Sequence, residues 1–250
     1  MASSKRLVLD AGNSTLHFGW FDGLELLKEL RLPTRPLREA AFYRDQLAPL
    51  VAAWGPFEVL IYASVVPSIA PLLESLSKDL GFALKPVTPA WLEAEGLVIA
   101  TEGTGIDRLL TAWAAWQRYG RDLVVVDLGT ATTFDVINQA GTFLGGAIFP
   151  GLELCRKALA ESAEGLYEVP LEFPTEIIGK NTKEALQSGI LLGYSSLVET
   201  MLEKIAASHG APIFRVATGG LADLMYRQTA NLDALEPGLT LLGLARLAQR

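Results

Sequence analysis

A chain of 250 residues, half of them hydrophobic and a fifth charged, has the balance of a globular protein with room for one large domain or two ordinary ones. Its net charge of −7, with no run of lysines or arginines, speaks against nucleic acid as a partner but leaves a phosphate-bearing small molecule open, since a few local donors hold one. The lone Cys155 makes no intrachain disulfide, no apolar stretch approaches the roughly 20 residues of a membrane span, and the apolar run before Asp10 is too short for a signal peptide, so a cytoplasmic protein is expected.

Taken in order, "RLVLD" reads as a buried strand, and "STLHFGWFD" as a second strand ending at an Asp22-Gly23 hairpin turn. "LELLKELRLP" reads as a strand or short helix, broken by Pro33 and Pro36. Residues 37–54 are expected to be helical, with Leu37, Ala41, Tyr43 and Leu47 on the apolar face. "FEVLIYASV" is a strand, 68–80 a helix stopped by Gly81, "ALKPVT" a short strand and 90–104 irregular. In "IDRLLTAWAAWQRYG", Leu109, Ala112, Trp113, Trp116 and Tyr119 share one helical face, with Thr104 as a candidate N-cap and Gly120 as the stop. "LVVVD" is the next strand, followed by a hairpin turning near 139–141 and by helices over 152–163 and 182–207. "IFRVATGG" is a last buried strand, and two more helices close the chain.

Alternating strands and helices mean an α/β fold. "LVLDAGNST" and "VVVDLGTATTFD" are the same pattern written twice, each a buried strand ending in Asp-x-Gly, then hydroxyls, then a hairpin. They lie too far apart for a solenoid repeat, so a duplicated domain with a cleft between its halves is expected. Each strand end sets a carboxylate, Asp10 or Asp127, at the sheet edge where open α/β sheets bind ligands. Glycine admits a phosphate close to the backbone, Asn13, Ser14, Thr15, Thr130, Thr132 and Thr133 add donors, and the aspartates suit cations. Neither a Rossmann G-x-G-x-x-G nor a P-loop fits, since each loop leads into a hairpin and Gly179-Lys180 is followed by Asn181.

Two further stretches allow a structural and a functional reading. "VATGG" is either a helix entry that needs small residues or backbone laid flat against a nucleotide. In "GTGIDR", Asp107 either complements the helix dipole or accepts a proton from a substrate hydroxyl, and Arg108 offers a partner for an anion.

Together "DAGNST", "GTGIDR", "DLGTATTFD", "GGAIFPG" and "GKNT" resemble the type III pantothenate kinases over nearly the whole chain. The resemblance implies two ribonuclease-H-like, actin-like ATPase halves, here 1–116 and 117–250, with a cleft between them. It implies that Asp10, Ala11, Gly12, Asn13, Ser14, Thr15, Leu16 and His17 form the first ATP loop, with Asp10 near the divalent ion, Mg2+, of ATP. Thr130 contacts ATP phosphates, and Asp127 ligates a monovalent cation, K+ or NH4+. Gly105, Ile106, Asp107, Arg108 and Thr182 form the pantothenate site, with Asp107 as proton acceptor, and the chain is a homodimer. Ser14 stands where the family's loop usually has threonine. The segment before Gly105 lacks the tyrosine that often covers the substrate, Val98 being the nearest match. The alternatives are another small-molecule kinase of the superfamily and a regulatory relative that kept the fold.

Overall fold

The apolar runs that end at Asp10 and Asp127 are the central strands of two sheets, and the structure, a computed structural model, describes residues 5–249. β1 (Lys5–Ala11), β2 (Thr15–Asp22) and β3 (Glu25–Pro33) form an antiparallel meander. β3 is a strand throughout, largely exposed at the sheet edge. Helix α1 (Ala40–Trp54) leads to β4 (Val59–Ser64), and α2 (Ala70–Leu80) leads to β5 (Ala83–Pro86); β4 lies parallel to both β1 and β5. Leu7, Val8 and Leu9 are fully buried because β1 has a neighbour on either side and helices packed over it.

Three local differences from the sequence expectation have plain causes. The first helix starts at Ala40 rather than at 37, leaving Leu37 and Ala41 exposed, because the prolines at 33 and 36 hold the backbone before it extended. The stretch expected to be irregular contains α3 (Pro89–Ala94) and β6 (Val98–Ile99). There the Thr88 hydroxyl accepts from the Trp91 N–H at 3.2 Å, and Pro89 occupies the first helical turn, a start signal masked by the glycines that follow. α4 (Ile106–Tyr119) follows as expected, but the Thr104 hydroxyl bonds the Thr101 hydroxyl at 2.8 Å.

The second sheet repeats the first. β7 (Leu123–Leu128), β8 (Ala131–Ile137) and β9 (Thr142–Pro150) form the antiparallel meander. After α5 (Leu152–Ser162), α6 (Thr182–Gln187), a π-helical turn at Ser188–Leu192 and α7 (Gly193–His209), β10 (Phe214–Thr218) returns parallel to β7. α8 (Ala222–Tyr226) leads to β11 (Ala234–Leu235), parallel to β10. The order β3-β2-β1-β4-β5 of the first sheet recurs as β9-β8-β7-β10-β11 within the six-stranded second sheet, with matching strand directions.

The last helix, α9 (Leu239–Leu247), leaves the second half and joins the first. One unit comprises the residues up to Gln117 together with those from Gly238 onward, and the other is Arg118–Pro237. This division differs from one at 116/117 because α9 is apolar on most sides and completes the core around β1, β2 and β4. The Thr240 hydroxyl meets that of Thr111 at 2.7 Å, Arg6 Nε donates to the Ala248 carbonyl at 3.1 Å, and Leu241 packs over Gly19. No helix among the described residues is long and apolar enough to cross a membrane. Leu241→Ala, which empties the space over Gly19, is expected to cost about 2–5 kcal/mol. A urea titration checks this, and an unmoved midpoint would mean that α9 is only loosely attached.

Candidate active site

In the first unit, β1 ends at Asp10 and Ala11, and the chain turns through Gly12–Ser14 into β2. Asp10 stands in register with His17 on β2 and with Ala63 on β4. The Gly12 N–H donates to the Thr15 carbonyl at 3.0 Å, and Asn13 and Ser14 are exposed at the tip. Ala11 and Leu16 are core residues, so only their backbone can face a ligand. His17 is half-buried, with Nε2 2.7 Å from Glu29 Oε2 on β3. Burial lowers its pKa against the opposing pull of Glu29. This pairing makes His17 a brace of the hairpin.

The same sheet edge receives the start of α4. The Val65 N–H donates to the Ala11 carbonyl at 3.3 Å, and a Cβ placed on Gly105 would lie 3.5 Å from the Val65 side chain. That Cβ would also stand 2.6 Å from Asp107 Oδ1, closer than real contacts allow. Glycine at 105 therefore makes room for the Asp107 carboxylate. Oδ1 accepts from the Arg108 N–H at 2.8 Å, and the Asp107 carbonyl accepts from the Thr111 hydroxyl, also at 2.8 Å. The carboxylate is thus fixed on the first turn, with Ile106 and Arg108 half-buried beside it. Val98, on β6, is 53% exposed.

In the second unit, Asp127 is in register with Thr133 on β8 and Thr218 on β10. Immediately after β10, Gly219 has φ +98, and a Cβ there would lie 2.4 Å from Asp127 Oδ1 and 2.6 Å from the Leu128 nitrogen. The glycine of "VATGG" thus lets backbone lie against the carboxylate, and no other residue fits that position. Thr130 is exposed, and its carbonyl accepts from the Gly151 N–H at 3.0 Å. Thr132 and Thr133, expected as further donors at this edge, are taken up within the unit. Thr132 is buried against the Tyr194 hydroxyl at 2.6 Å, and the Thr133 hydroxyl donates to Asp135 at 2.7 Å.

Thr182 opens α6 and is exposed. Its turn is held by the N-cap Asn181, whose side chain accepts from the Glu184 N–H, while Glu184 Oε2 accepts from the Lys180 N–H at 2.7 Å. That backbone donor, foremost, keeps the Glu184 carboxyl below its ordinary pKa. The structure brings the loop after Asp10 and the Asp107 corner to one edge of the first sheet, and Asp127 and Thr130 to the matching edge of the second.

A model of the type III pantothenate kinases matches residues 6–204. A type III pantothenate kinase of Acidiphilium cryptum is 37% identical over 98% of this chain and 94% of its own length. The chain belongs to the type III pantothenate kinase family. Its fold is that of the actin-like ATPases. A conserved Baf family protein from Campylobacter jejuni superposes with TM-score 0.60 over 97% of this chain and 96% of that one, at 22% identity. MreB5 of Spiroplasma citri, bound to ADP, superposes with TM-score 0.53 over 99% and 97%, at 9% identity.

Within this pantothenate kinase family member, sequence reasoning passed over two residues that shape the site. Tyr194, from α7, is buried and its hydroxyl meets both the Thr132 hydroxyl and the Pro150 carbonyl, the latter at 2.8 Å. Thr34, just beyond β3, bonds the loop after Asp10 at two points. Neither stands in a motif, and each is visible only once the sheets are paired. Gly105→Ala should push the Asp107 carboxylate aside while leaving the core intact. We expect kcat to fall on the order of 100-fold, the usual cost of a misplaced catalytic group, with an unchanged melting temperature. A steady-state assay beside a thermal melt checks both.

Proposed function

We propose that this chain transfers the γ-phosphoryl group of ATP to the primary hydroxyl of pantothenate, giving 4'-phosphopantothenate, the first step of coenzyme A biosynthesis. Family membership supports the substrates. The observation that supports the chemistry is the Asp107 carboxylate, fixed on the first turn of α4 by Gly105 and the Arg108 N–H at the edge where β1 and β4 end.

In the reaction, the hydroxyl oxygen bonds the γ-phosphorus in line as the bond to the ADP oxygen breaks, and the hydroxyl proton passes to Asp107. Arg108 holds the acidic end of pantothenate, and Gly105, Ile106 and Thr182 complete that site. The Gly12–Thr15 loop and Thr130 hold the ATP phosphates. Among the described residues there is no cluster of three or more metal-ligating side chains. That fits a divalent ion arriving with ATP, since Mg2+ is usually held by one or two carboxylates together with phosphate oxygens and water. Asp10 is the carboxylate assigned to it, and when bound the ion neutralises phosphate charge. Asp127, with Gly219 backbone laid against it, is assigned a monovalent cation, K+ or NH4+, for which oxygen donors are the suitable ligands.

The protein is read as a cytoplasmic homodimer. The apolar helix α4 spends its face on its own core, with Leu109, Leu110, Ala112, Trp113, Ala114 and Ala115 buried. The α5 and α6–α7 side instead has an apolar groove of about 510 Å³ lined by Phe149, Leu159, Ile190, Gly193 and Leu197 among others, which supports it as the pairing face. Leu159→Glu should then give a monomer by light scattering, and a dimer that survives it would place the interface elsewhere.

Purified protein should consume ATP only when pantothenate is added, faster in potassium than in sodium. No pantothenate-dependent turnover in either salt would return the chain to the regulatory reading, whereas indifference to the cation would remove only the role given to Asp127. Asp107→Asn should lower kcat by roughly 10²–10⁴-fold, the range of general-base contributions.

A further inference from the structure

The loop that joins β1 to β2, Gly12–Ser14, turns without a positive φ and is held from just beyond a third strand. Thr34, 1% exposed at the end of β3, donates its hydroxyl to the Gly12 carbonyl at 2.8 Å and its N–H to the Ser14 carbonyl at 3.0 Å. Thr34 is itself anchored, because the fully buried Tyr43 donates its hydroxyl to the Pro33 carbonyl at 2.8 Å.

The consequence follows from peptide geometry. The Gly12–Asn13 and Ser14–Thr15 bonds are trans, so each carbonyl points opposite to the N–H that follows it. With the Gly12 and Ser14 carbonyls both drawn toward buried Thr34, the N–H groups of Asn13 and Thr15 face away from it. Two backbone N–H groups turned to the same side of an exposed loop are donors that one anion can bridge, as the free N–H groups of a helix start do.

We propose that Thr34 is the positioning residue of this loop. Its hydroxyl turns the Gly12 peptide, and so presents the Asn13 and Thr15 N–H groups to the phosphates of the nucleotide. The proposal rests on the reading of Gly12–Thr15 as a phosphate loop. Thr34 does not touch the nucleotide; it acts through the two carbonyls. Its hydroxyl is the part that matters, because the N–H bond to Ser14 survives any side chain except proline.

The experiment compares Thr34→Val, Thr34→Ser and Asp10→Asn with the full-length wild type, measuring kcat, KM for ATP, KM for pantothenate and the melting temperature. Thr34→Val keeps shape and loses the hydroxyl. It should raise KM for ATP about tenfold, the worth of one well-placed hydrogen bond, with KM for pantothenate unchanged. Thr34→Ser should restore KM for ATP to within about threefold. If Thr34→Val fails to fold, Thr34→Ala carries the same expectation. A lowered melting temperature with wild-type KM for ATP would make Thr34 a structural residue and overturn the proposal. If Asp10→Asn and Thr34→Val both leave ATP kinetics unchanged, the phosphate-loop reading itself falls, whereas an effect of Asp10→Asn alone removes only the role of Thr34.

Discussion

The parallel pairing of each central strand with its neighbour governs how the two sheet edges at Asp10 and Asp127 are built. In the second unit, register sets Asp127 opposite Thr218. The next residue on the β10 side must then pass directly against the Asp127 carboxylate, and only Gly219 can do so. In the first unit the same register sets Ala11 opposite Ser64, and Val65 closes back onto the Ala11 carbonyl. Val65 in turn lies against Gly105, so the start of α4 and its carboxylate are located by a strand end to which α4 is not adjacent in sequence. A register slip of one residue would turn every one of these side chains to the opposite face.

The two sheets share strand order and direction, yet their edges are furnished differently. At the end of β4, the Ser64 hydroxyl accepts from the Val66 N–H at 3.0 Å. At the corresponding end of β10, Thr218 donates to the Glu236 carbonyl and a pair of glycines follows. Gly219 puts bare backbone in the second edge at the place where Ser64 stands in the first. Two carboxylates that occupy equivalent positions in a duplicated fold therefore meet different surroundings.

Much of this was legible in the sequence, and the reason is periodicity. Apolar runs that end in Asp-x-Gly declare buried strands, and their repetition declares the duplication. Asp107 was legible through its neighbours, since a glycine-rich stretch before an apolar helix marks the helix start. What stayed hidden depends on pairing between distant segments. Thr132 and Thr133 read as surface hydroxyls until Tyr194 and Asp135 are seen to occupy them. Thr34 sits among prolines and looks like loop, and its partners lie in the loop between two other strands. The destination of α9 was equally hidden, because an apolar helix declares that it must be covered but not by which half.

That destination has a consequence for how the molecule is made. A ribosome delivers residues 118–237 as one uninterrupted stretch, so the second unit has its whole core as soon as it emerges. The first unit, although synthesised earlier, lacks the helix that covers Gly19 and meets Thr111 until the final segment appears. The half made first is finished last. Its central strands wait, with an apolar face uncovered, through the synthesis of the entire other half, the kind of exposure that makes an incomplete domain prone to aggregate.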